Sequence, residues 1–383
     1  EVHISRRRAV TSTAVLFERK ESRVKPLKYI CLAGLILLPM QTATAAAMEF
    51  RPQPLHRVKP SERNAALKYW EASAGMSREL STALGELNYE EVGMTPESAE
   101  KNEAWKAALK AAGGSNAGEW LHASGYTRCD FEVRYEDGVG ALLPHLGKLR
   151  SGARLLRFEA RRAIIEGRPD DTARYLAALI RIGNHVCGDG FLISSLVGNA
   201  IVSMSMAEIR EYAESGRMTA SARETIQRGL DQIDEKDPMR IRAALVGEQT
   251  IMLDWIRVAC TGPEAGAKLA SLLFEVQNQD DQGLTEVNRA IIEKLDEGGL
   301  VREVVQTEKA YQAMLDAWDS EDPDEACKAV AERMKRHEFG PLAAELCPSV
   351  ARSRFVASRF EKDLKETRAS LDTAKIAEPA EVE

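Results

Sequence analysis

The chain has 383 residues, of which 44% are hydrophobic, 29% charged and only 6% aromatic, and its formal net charge is −7. This length is enough to bury a large core, and the composition is typical of soluble globular proteins. Aromatic and β-branched residues suit strands, so their scarcity beside abundant Ala, Leu, Glu and Arg favours helices.

An export signal is predicted ahead of the folded part. Lys25 and Lys28 precede the apolar run "YICLAGLILLPM", and small residues follow it. A positive flank, a short apolar core and small residues at its end are typical of a secretory signal peptide, here residues 25–47. We expect cleavage after Ala45 or Ala47 and a mature protein that is periplasmic or secreted.

The apolar core of this signal, residues 29–40, is shorter than the roughly 20 residues that span a bilayer. An uncleaved membrane anchor is therefore the minor alternative. Residues 1–24, upstream of the signal, are expected to be a non-native or disordered extension. Residues 1–47 contain eight Lys or Arg and three Asp or Glu, so their removal changes the net charge from −7 to −12. An acidic body disfavours nucleic acid and anionic membrane surfaces as partners.

A helical domain is predicted over residues 61–375, after a proline-bearing lead-in at 48–60. Its first helix lies in "NAALKYWEASAGM". At the start of the next helix Thr95 can cap the free N–H groups and Pro96 suits the first helical position, and a double glycine ends that helix. A short helix is predicted around Trp120.

Residues 142–187 are predicted to form an antiparallel helical hairpin. Each helix has an apolar stripe at three- and four-residue spacing, and "EGRPDD" breaks the pattern between them. The stripes are Leu146, Leu149, Ala153, Leu156, Ala160, Ala163 and Ile164 in the first helix, and Ala173, Leu176, Ile180, Gly183 and Cys187 in the second. Small residues such as Ala153 and Gly183 are expected to let the two backbones approach closely. "EARRAIIEGRPDDTARYLAALIRIG" resembles a tetratricopeptide hairpin, although half of that signature is missing.

A proline followed by an acid opens several amphipathic runs. These starts are Pro96-Glu97, Pro169-Asp170, Pro263-Glu264 and Pro323-Asp324. Their recurrence favours a stack of hairpins, each burying its apolar face on the next. The predicted fold is therefore an all-α array of antiparallel helical hairpins, in the style of tetratricopeptide proteins and α-solenoids, without significant sheet.

Residues 191–216, "FLISSLVGNAIVSMSMAEIREYAESG", are apolar on nearly every side until Glu208, which predicts a helix at the centre of the domain. Two serines and Asn199 interrupt the run, so a membrane span is not expected there. A sub-boundary near 215–220 is an alternative. Further helices are predicted at 237–260, 263–278, 284–297, 299–318, 323–337 and 349–375. Residues 376–383 are predicted to be a disordered acidic tail.

The segment 129–150, "CDFEVRYEDGVGALLPHLGKLR", holds the strongest candidates for a site. The candidates are Asp130, Glu132, Glu136, Asp137 and His145, with Asn199 on the central helix as a sixth. One hypothesis has them converge on a divalent cation or a ligand, since hard cations prefer oxygen ligands. Another is local: Arg134 pairs with the acids, and Glu136 and Asp137 stabilise the positive end of the helix at Leu142. Because the spacing lacks the regular offsets and closing Glu of a calcium loop, no metal or cofactor is predicted.

Five cysteines follow the signal peptide, namely Cys129, Cys187, Cys260, Cys327 and Cys347. None belongs to a C-x-x-C pair, which leaves zinc-ribbon and thioredoxin-type motifs without support. Export permits disulfides, and Cys327 with Cys347 is the one pair we suggest, because they lie on consecutive helices. The chain also has no G-x-S-x-G elbow, P-loop or G-x-G-x-x-G, so no motif indicates a serine hydrolase, an NTPase or a dinucleotide enzyme.

Four stretches carry a resemblance to a known group: "NAALKYWEASAGM", "CDFEVRYEDGVGALLPHLGKLRSGARLLRFEA", "EGRPDDTARYLAALIRIGNHV" and "DGFLISSLVGNAIV". Over residues 61–205 the chain resembles uncharacterised, exported helical proteins of planctomycete-type bacteria. The resemblance implies a helical fold and export, and it implies no activity and no catalytic residues.

We therefore expect an exported interaction or scaffold protein of the bacterial envelope, with other envelope proteins as its partners and no membrane span in the mature chain. An enzymatic role is the less favoured expectation. The alternative function is an enzyme or a small-ligand or metal binder, with a site between the 129–150 segment and the central helix at 191–207.

Overall fold

Helices account for the regular secondary structure of residues 64–277 and 286–377, which the computed structural model describes. Within these two ranges there are seventeen α-helices and four short 3₁₀ helices, and no strand forms beyond two isolated bridges. The predicted all-α class is confirmed.

The first nine helices are α1 (Ala65–Ala74), α2 (Arg78–Gly85), α3 (Tyr89–Val92), α4 (Pro96–Lys101), α5 (Glu103–Ala111), α6 (Ala117–Ser124), α7 (Pro144–Ile165), α8 (Pro169–Val186) and α9 (Leu192–Glu214). The other eight are α10 (Ala220–Leu230), α11 (Ile241–Ala259), α12 (Ala265–Gln277), α13 (Glu286–Ile292), α14 (Glu297–Trp318), α15 (Pro323–Lys335), α16 (Gly340–Leu346) and α17 (Val350–Asp372). The 3₁₀ helices are Ala112–Gly114, Tyr135–Gly140, Cys187–Asp189 and Pro238–Arg240.

Side-chain caps explain where several helices begin. The hydroxyl of Thr95 accepts a hydrogen bond from the Ser98 N–H, and Pro96 occupies the first position of α4, as the sequence predicts. The predicted single helix is nevertheless broken at Asn102, whose backbone is extended (φ −92°, ψ 112°). The Asn102 side chain accepts from the N–H of Trp105 and starts α5, because asparagine satisfies a free helix donor better than it continues a helix.

The predicted hairpin is formed by α7 and α8. Gly167, with a φ of +69°, ends the first helix, and Pro169 opens the second. Every residue of the two predicted stripes is buried. The expected role of Gly183 is wrong in one respect, because it faces α9 and not α7. A Cβ at Gly183 would lie 2.4 Å from a methyl group of Val202 and 2.8 Å from the carbonyl oxygen of Gly198, so this close approach requires glycine.

Helix α9 lies at the centre of the packing, as predicted, and contacts α7, α8, α11 and α17. It has 23 residues and is long and apolar enough to cross a bilayer, by length and composition. The expectation that two serines and Asn199 interrupt the apolar run too much for this was therefore wrong. Of its most apolar window, 67% is buried inside the fold. Among the described residues no other helix meets both criteria, and a buried core helix has the same properties.

One large apolar core runs through most of the fold. It contains residues from both sides of positions 215–220, including Ile209 before them and Ile226 after them, and α10 packs on α8. A smaller core, with Leu253, Ile256 and Leu300 among its members, joins α11, α12, α13, α14 and α16. The regular stacking of further hairpins beyond α7 and α8 remains a prediction.

Four helices are missing from the sequence prediction: α2, α3, α10 and α16. Three of them begin with a polar cap that accepts a main-chain N–H: Ser77 accepts from Leu80, Asn88 from Glu90, and Thr219 from Ala222. The cap signals were therefore present in the sequence. The helices are too short for an apolar stripe to stand out.

The C-terminal boundary also differs from the prediction. Ile376 forms an isolated bridge with Met218, and the N–H of Ala377 donates to the Met218 carbonyl oxygen at 2.8 Å. The packed chain therefore extends through residue 377, and not only to 375. The predicted extension, signal peptide and lead-in, residues 1–60, and the rest of the tail lie outside the described residues.

The suggested disulfide between Cys327 and Cys347 is not formed. All five cysteines of the described ranges are free. Burial raises the pKa of the Cys187 thiol to about 12 and that of Cys327 to about 11. Since the thiolate is the reactive form, these two cysteines act as small apolar residues of the core.

We predict that Leu156→Ala and Ile180→Ala each lower the free energy of unfolding by about 2–5 kcal/mol, because both side chains are fully buried in the hairpin. Urea unfolding followed by circular dichroism measures the change. Ile193→Ala, at an exposed position of α9, is the matched control and should stay within about 0.5–1 kcal/mol of the wild type. A Leu156→Ala variant as stable as this control would show that the hairpin interface is not core.

Candidate functional site

Asp130 ties the start of the acidic segment to the first helix. The side chain of Asn64, which caps α1, accepts from the N–H of Asp130 and donates to its carbonyl oxygen, both at 3.0 Å. The Asp130 carboxylate accepts from the N–H of Glu132 at 2.8 Å, which closes a local turn. Glu132 has a left-handed backbone (φ 52°) and its side chain is exposed.

Glu136 and Asp137 both pair with Arg134. The Arg134 guanidinium lies 3.2 Å from a carboxylate oxygen of each acid, so the predicted internal ion pairing is confirmed. The predicted role of the two acids in stabilising the start of the following helix is not confirmed. Both acids lie in the 3₁₀ helix Tyr135–Gly140, and α7 begins at Pro144 without a side-chain cap.

His145 is buried and bonded to a residue outside the acidic segment. Its Nε2 atom lies 2.5 Å from a carboxylate oxygen of Asp189, and its ring stacks on Phe131 with 4.1 Å between centroids. The Ser194 hydroxyl donates to the same Asp189 oxygen at 3.2 Å. The Tyr135 hydroxyl donates to the Asp189 carbonyl oxygen at 2.8 Å.

Histidine, aspartate and serine are the members of a nucleophilic triad, but their arrangement here differs from one. In a triad the serine bonds to the imidazole, whereas Ser194 bonds to the carboxylate that also holds His145. All three side chains are also buried. We conclude that this cluster joins the acidic segment, α7 and the start of α9 through satisfied polar contacts.

Asn199 stays apart from this cluster. Its side-chain oxygen accepts from the Ser203 hydroxyl at 3.4 Å on the same helix, and its side-chain nitrogen is buried without a hydrogen-bond partner. The structure therefore does not bring the six predicted residues into one site. Across residues 64–277 and 286–377, no group of three or more His, Cys, Asp or Glu side chains is placed to hold a metal ion.

A buried ion-pair network was missed by the sequence reasoning. Glu208 and Arg161 are both fully buried, and the guanidinium Nε of Arg161 donates to Glu208 at 2.7 Å. Arg157 donates to the other oxygen of the same carboxylate at 2.7 Å. Two signals existed: Glu208 is the first charge on an apolar helix, and the two arginines lie four residues apart between the apolar positions of α7.

Three further N–H groups of Arg161 are also satisfied. It donates to the carbonyl oxygens of Tyr89 and Gly93, at 3.2 and 2.7 Å, and to the Glu211 carboxylate at 2.6 Å. Arg157 also lies over the ring of Tyr89, with 3.8 Å between the guanidinium carbon and the ring centroid. The network therefore fixes the α3–α4 connection against α7 and α9.

Glu248 on α11 is a carboxyl group with a strongly raised pKa. Burial raises its pKa from 4.5 to about 7, although the N–H of Leu192 donates to it at 2.9 Å and stabilises the charged form. Leu192 is the first residue of α9, so Glu248 supplies the cap that α9 lacks in its own sequence. Tyr311 lies close enough for the Glu248 charge to affect it, and its buried hydroxyl has no partner.

The chain was compared with known proteins in three ways. No family model, no curated protein and no solved structure matches this chain.

We predict that Glu136→Gln combined with Asp137→Asn lowers stability by at most about 1 kcal/mol, because exposed ion pairs contribute little. Calcium, magnesium and manganese should not raise the melting temperature of either version. Thermal unfolding with each metal, and with a chelator as control, measures this. A metal-dependent rise of several degrees that disappears in the double variant would restore the metal-site hypothesis.

We predict that Glu248 makes the protein less stable as the pH rises. Its folded pKa is about 7 and its unfolded pKa about 4.5, so its contribution is fully present below about pH 4.5 and is lost as the pH rises through 7. The loss is up to about 3 kcal/mol at about pH 8. Glu248→Gln should remove this dependence while its side-chain oxygen still accepts from Leu192.

Urea unfolding at several values between about pH 5 and pH 8 tests the prediction, as the difference between wild type and Glu248→Gln. Glu321→Gln, which removes an exposed carboxyl, is the control and should follow the wild type. Parallel profiles for wild type and Glu248→Gln would contradict the assignment.

Proposed function

We propose that the chain is an exported helical protein of the bacterial envelope that binds other proteins through exposed helix faces and acts as an interaction or scaffold module. The observation that carries the proposal is a pair of apolar stripes on two consecutive helices, α13 and α14. These stripes are exposed, although Ile292 on α13 and Leu300 and Val304 on α14 pack into the smaller core.

The stripes consist of residues one helical turn apart. On α13, Val287 is 71% and Ile291 44% exposed, and on α14, Val301 is 57% and Val305 42% exposed. Isolated exposed apolar residues are common on soluble proteins. Two aligned branched residues on a helix are the pattern by which a helix face meets an apolar groove or a second helix.

The hairpin architecture supports the same proposal. The α7–α8 hairpin packs on α9 and α10, and stacked hairpins of the tetratricopeptide style present helix faces to partners. The signal-peptide pattern of residues 25–47 supports export, and the envelope location is proposed from that pattern.

The alternative function, an enzyme or a ligand or metal binder at the 129–150 segment and the central helix, receives less support. It requires the acids, His145 and Asn199 to converge. Instead, Glu136 and Asp137 bond to Arg134, and His145 is buried against Asp189.

We predict that Val301→Asp combined with Val305→Asp abolishes partner binding without unfolding the protein, because both positions are exposed and surface changes stay within about 0.5 kcal/mol. Affinity capture from envelope extracts, followed by mass spectrometry, compares the proteins bound by wild type and variant. Light scattering during gel filtration tests in parallel for a second copy of the chain as the partner.

The control is Leu67→Asp, which places one aspartate at an exposed apolar position of α1. It should retain every partner that the double variant loses. Equal capture by wild type and the double variant, with both monomeric, would refute the assignment of the α14 face.

A further inference from the structure

The outer face of α17 carries positive charges around an exposed aromatic ring. Phe355 is 66% exposed, and Arg352, Arg359 and Lys362 are exposed as well. These four residues, which we call the α17 strip, follow one another at spacings of three, four and three. Residues at such spacings lie on one side of a helix. With a rise of about 1.5 Å per residue, the strip is about 15 Å long.

The packing of α17 does not require the strip. The helix contacts α9 and α15, and its buried residues, among them Ala357, Phe360 and Leu364, lie on the opposite side. Phe355 has no place in this core, so its apolar ring stays in contact with water at a cost in free energy. One exposed phenylalanine is ordinary on a soluble protein. The charges around it make this face unusual.

The charge of α17 is opposite in sign to that of the whole chain. The helix contains six Lys or Arg and four Asp or Glu, a net of +2, in a chain of net −7. Its acids all come late, since residues 350–360 contain three arginines and no acid. A helix N-terminus is itself positive, so cations in the first turns are unfavourable there. The stability of the helix therefore does not explain the arginines around Phe355.

Two cations of the strip also lack a counterion. Across residues 64–277 and 286–377, Arg352 and Arg359 form no ion pair. Lys362 lies 3.8 Å from Glu366, and both side chains are largely exposed, so this contact contributes little. The α17 strip therefore presents positive charge to a surface that contacts it.

The acids that border the strip are arranged around a different arginine. Asp324 of α15 and Glu361 both bond to Arg354, at 2.7 and 2.9 Å. Arg354 is only 14% exposed and lies on the side of α17 that faces α15. Asp363, on the other border, is partly buried. These acids thus leave the arginines of the strip unpaired.

We propose that the α17 strip docks the protein on the surface of an anionic lipid bilayer. Arg352, Arg359 and Lys362 contact the lipid phosphates, and the Phe355 ring enters the headgroup region, where phenylalanine is favourable. Each basic residue near such a surface strengthens binding, over about one Debye length, roughly 10 Å. The net charge of −7 disfavours a membrane partner for the body as a whole, but within that distance the charges of α17 decide.

The composition of the strip favours a bilayer over a groove on a protein. A helix that binds in a groove presents apolar residues on successive turns, as α14 does with Val301 and Val305. The strip has one apolar residue and three cations, which suits a flat surface of negative headgroups. The inference goes beyond the proposed protein binding and does not depend on it, because it concerns another helix.

The test measures flotation of the full chain with vesicles of phosphatidylcholine, alone or mixed with phosphatidylglycerol. The protein should bind the mixed vesicles, and high salt should weaken this binding. Vesicles without phosphatidylglycerol control for insertion of the apolar run at 29–40, which does not need an anionic lipid. An excess of double-stranded DNA over lipid phosphate should not displace the protein, because DNA offers Phe355 no apolar interface.

Substitutions in the strip separate its charges from its ring. Arg352→Gln combined with Arg359→Gln should weaken binding to mixed vesicles by about tenfold or more. The same two positions changed to Lys should bind within several-fold of wild type, because the charge is kept. Phe355→Ala should bind at least several-fold more weakly, since buried apolar area also contributes.

The matched control is Arg78→Gln combined with Arg150→Gln, which removes the same charge from exposed positions on α2 and α7 and should bind as wild type does. All changed positions are exposed, so melting followed by circular dichroism should not distinguish the variants from wild type. The inference is overturned by no binding to mixed vesicles, by equal binding of wild type and the Gln variant of the strip, by unchanged binding of Phe355→Ala, or by displacement with DNA.

Discussion

The buried ion pair between Arg161 and Glu208 is the interaction on which the packing around α9 depends. Both side chains are fully buried, so each has lost its hydration and needs a partner with fitting geometry. Loss of one partner from such a pair costs about 3–5 kcal/mol, because the other charge stays buried. The pair lies between α7 and α9, and its further bonds to the Tyr89 and Gly93 carbonyls extend the constraint to the short helices before it. We expect this network to favour one register of α7 against α9, because a shift would separate the buried charges.

Local periodicity explains why the hairpin could be predicted. The stripes of α7 and α8 repeat within each helix, so burial follows from the sequence alone, and the glycine and proline between them fix the turn. The partner of Gly183 could not be predicted in this way. Its neighbours, Gly198 and Val202, belong to the next helix, and only tertiary packing decides which helix uses the space left by a missing side chain. The break at Asn102 could not be predicted either, because an asparagine at that position can continue one helix or cap the next.

The candidate site shows a different limit of sequence reasoning. A high density of acids between Asp130 and Asp137 indicates a site only if the side chains converge, and here Arg134 within the same stretch neutralises two of them. His145 was a candidate for its chemistry, but its role is set by Asp189, 44 residues later.

The contact between α9 and α17 has a consequence for the order of folding during synthesis. Arg210 of α9 donates to the hydroxyl of Thr367 at 2.9 Å, and Met218, just beyond α9, is bridged to Ile376. Helix α9 is therefore covered on one side by α17, which is synthesised after it. Native burial of α9 cannot be complete until residues 350–376 have been made. Until then the nascent chain exposes an apolar surface to which a chaperone can bind.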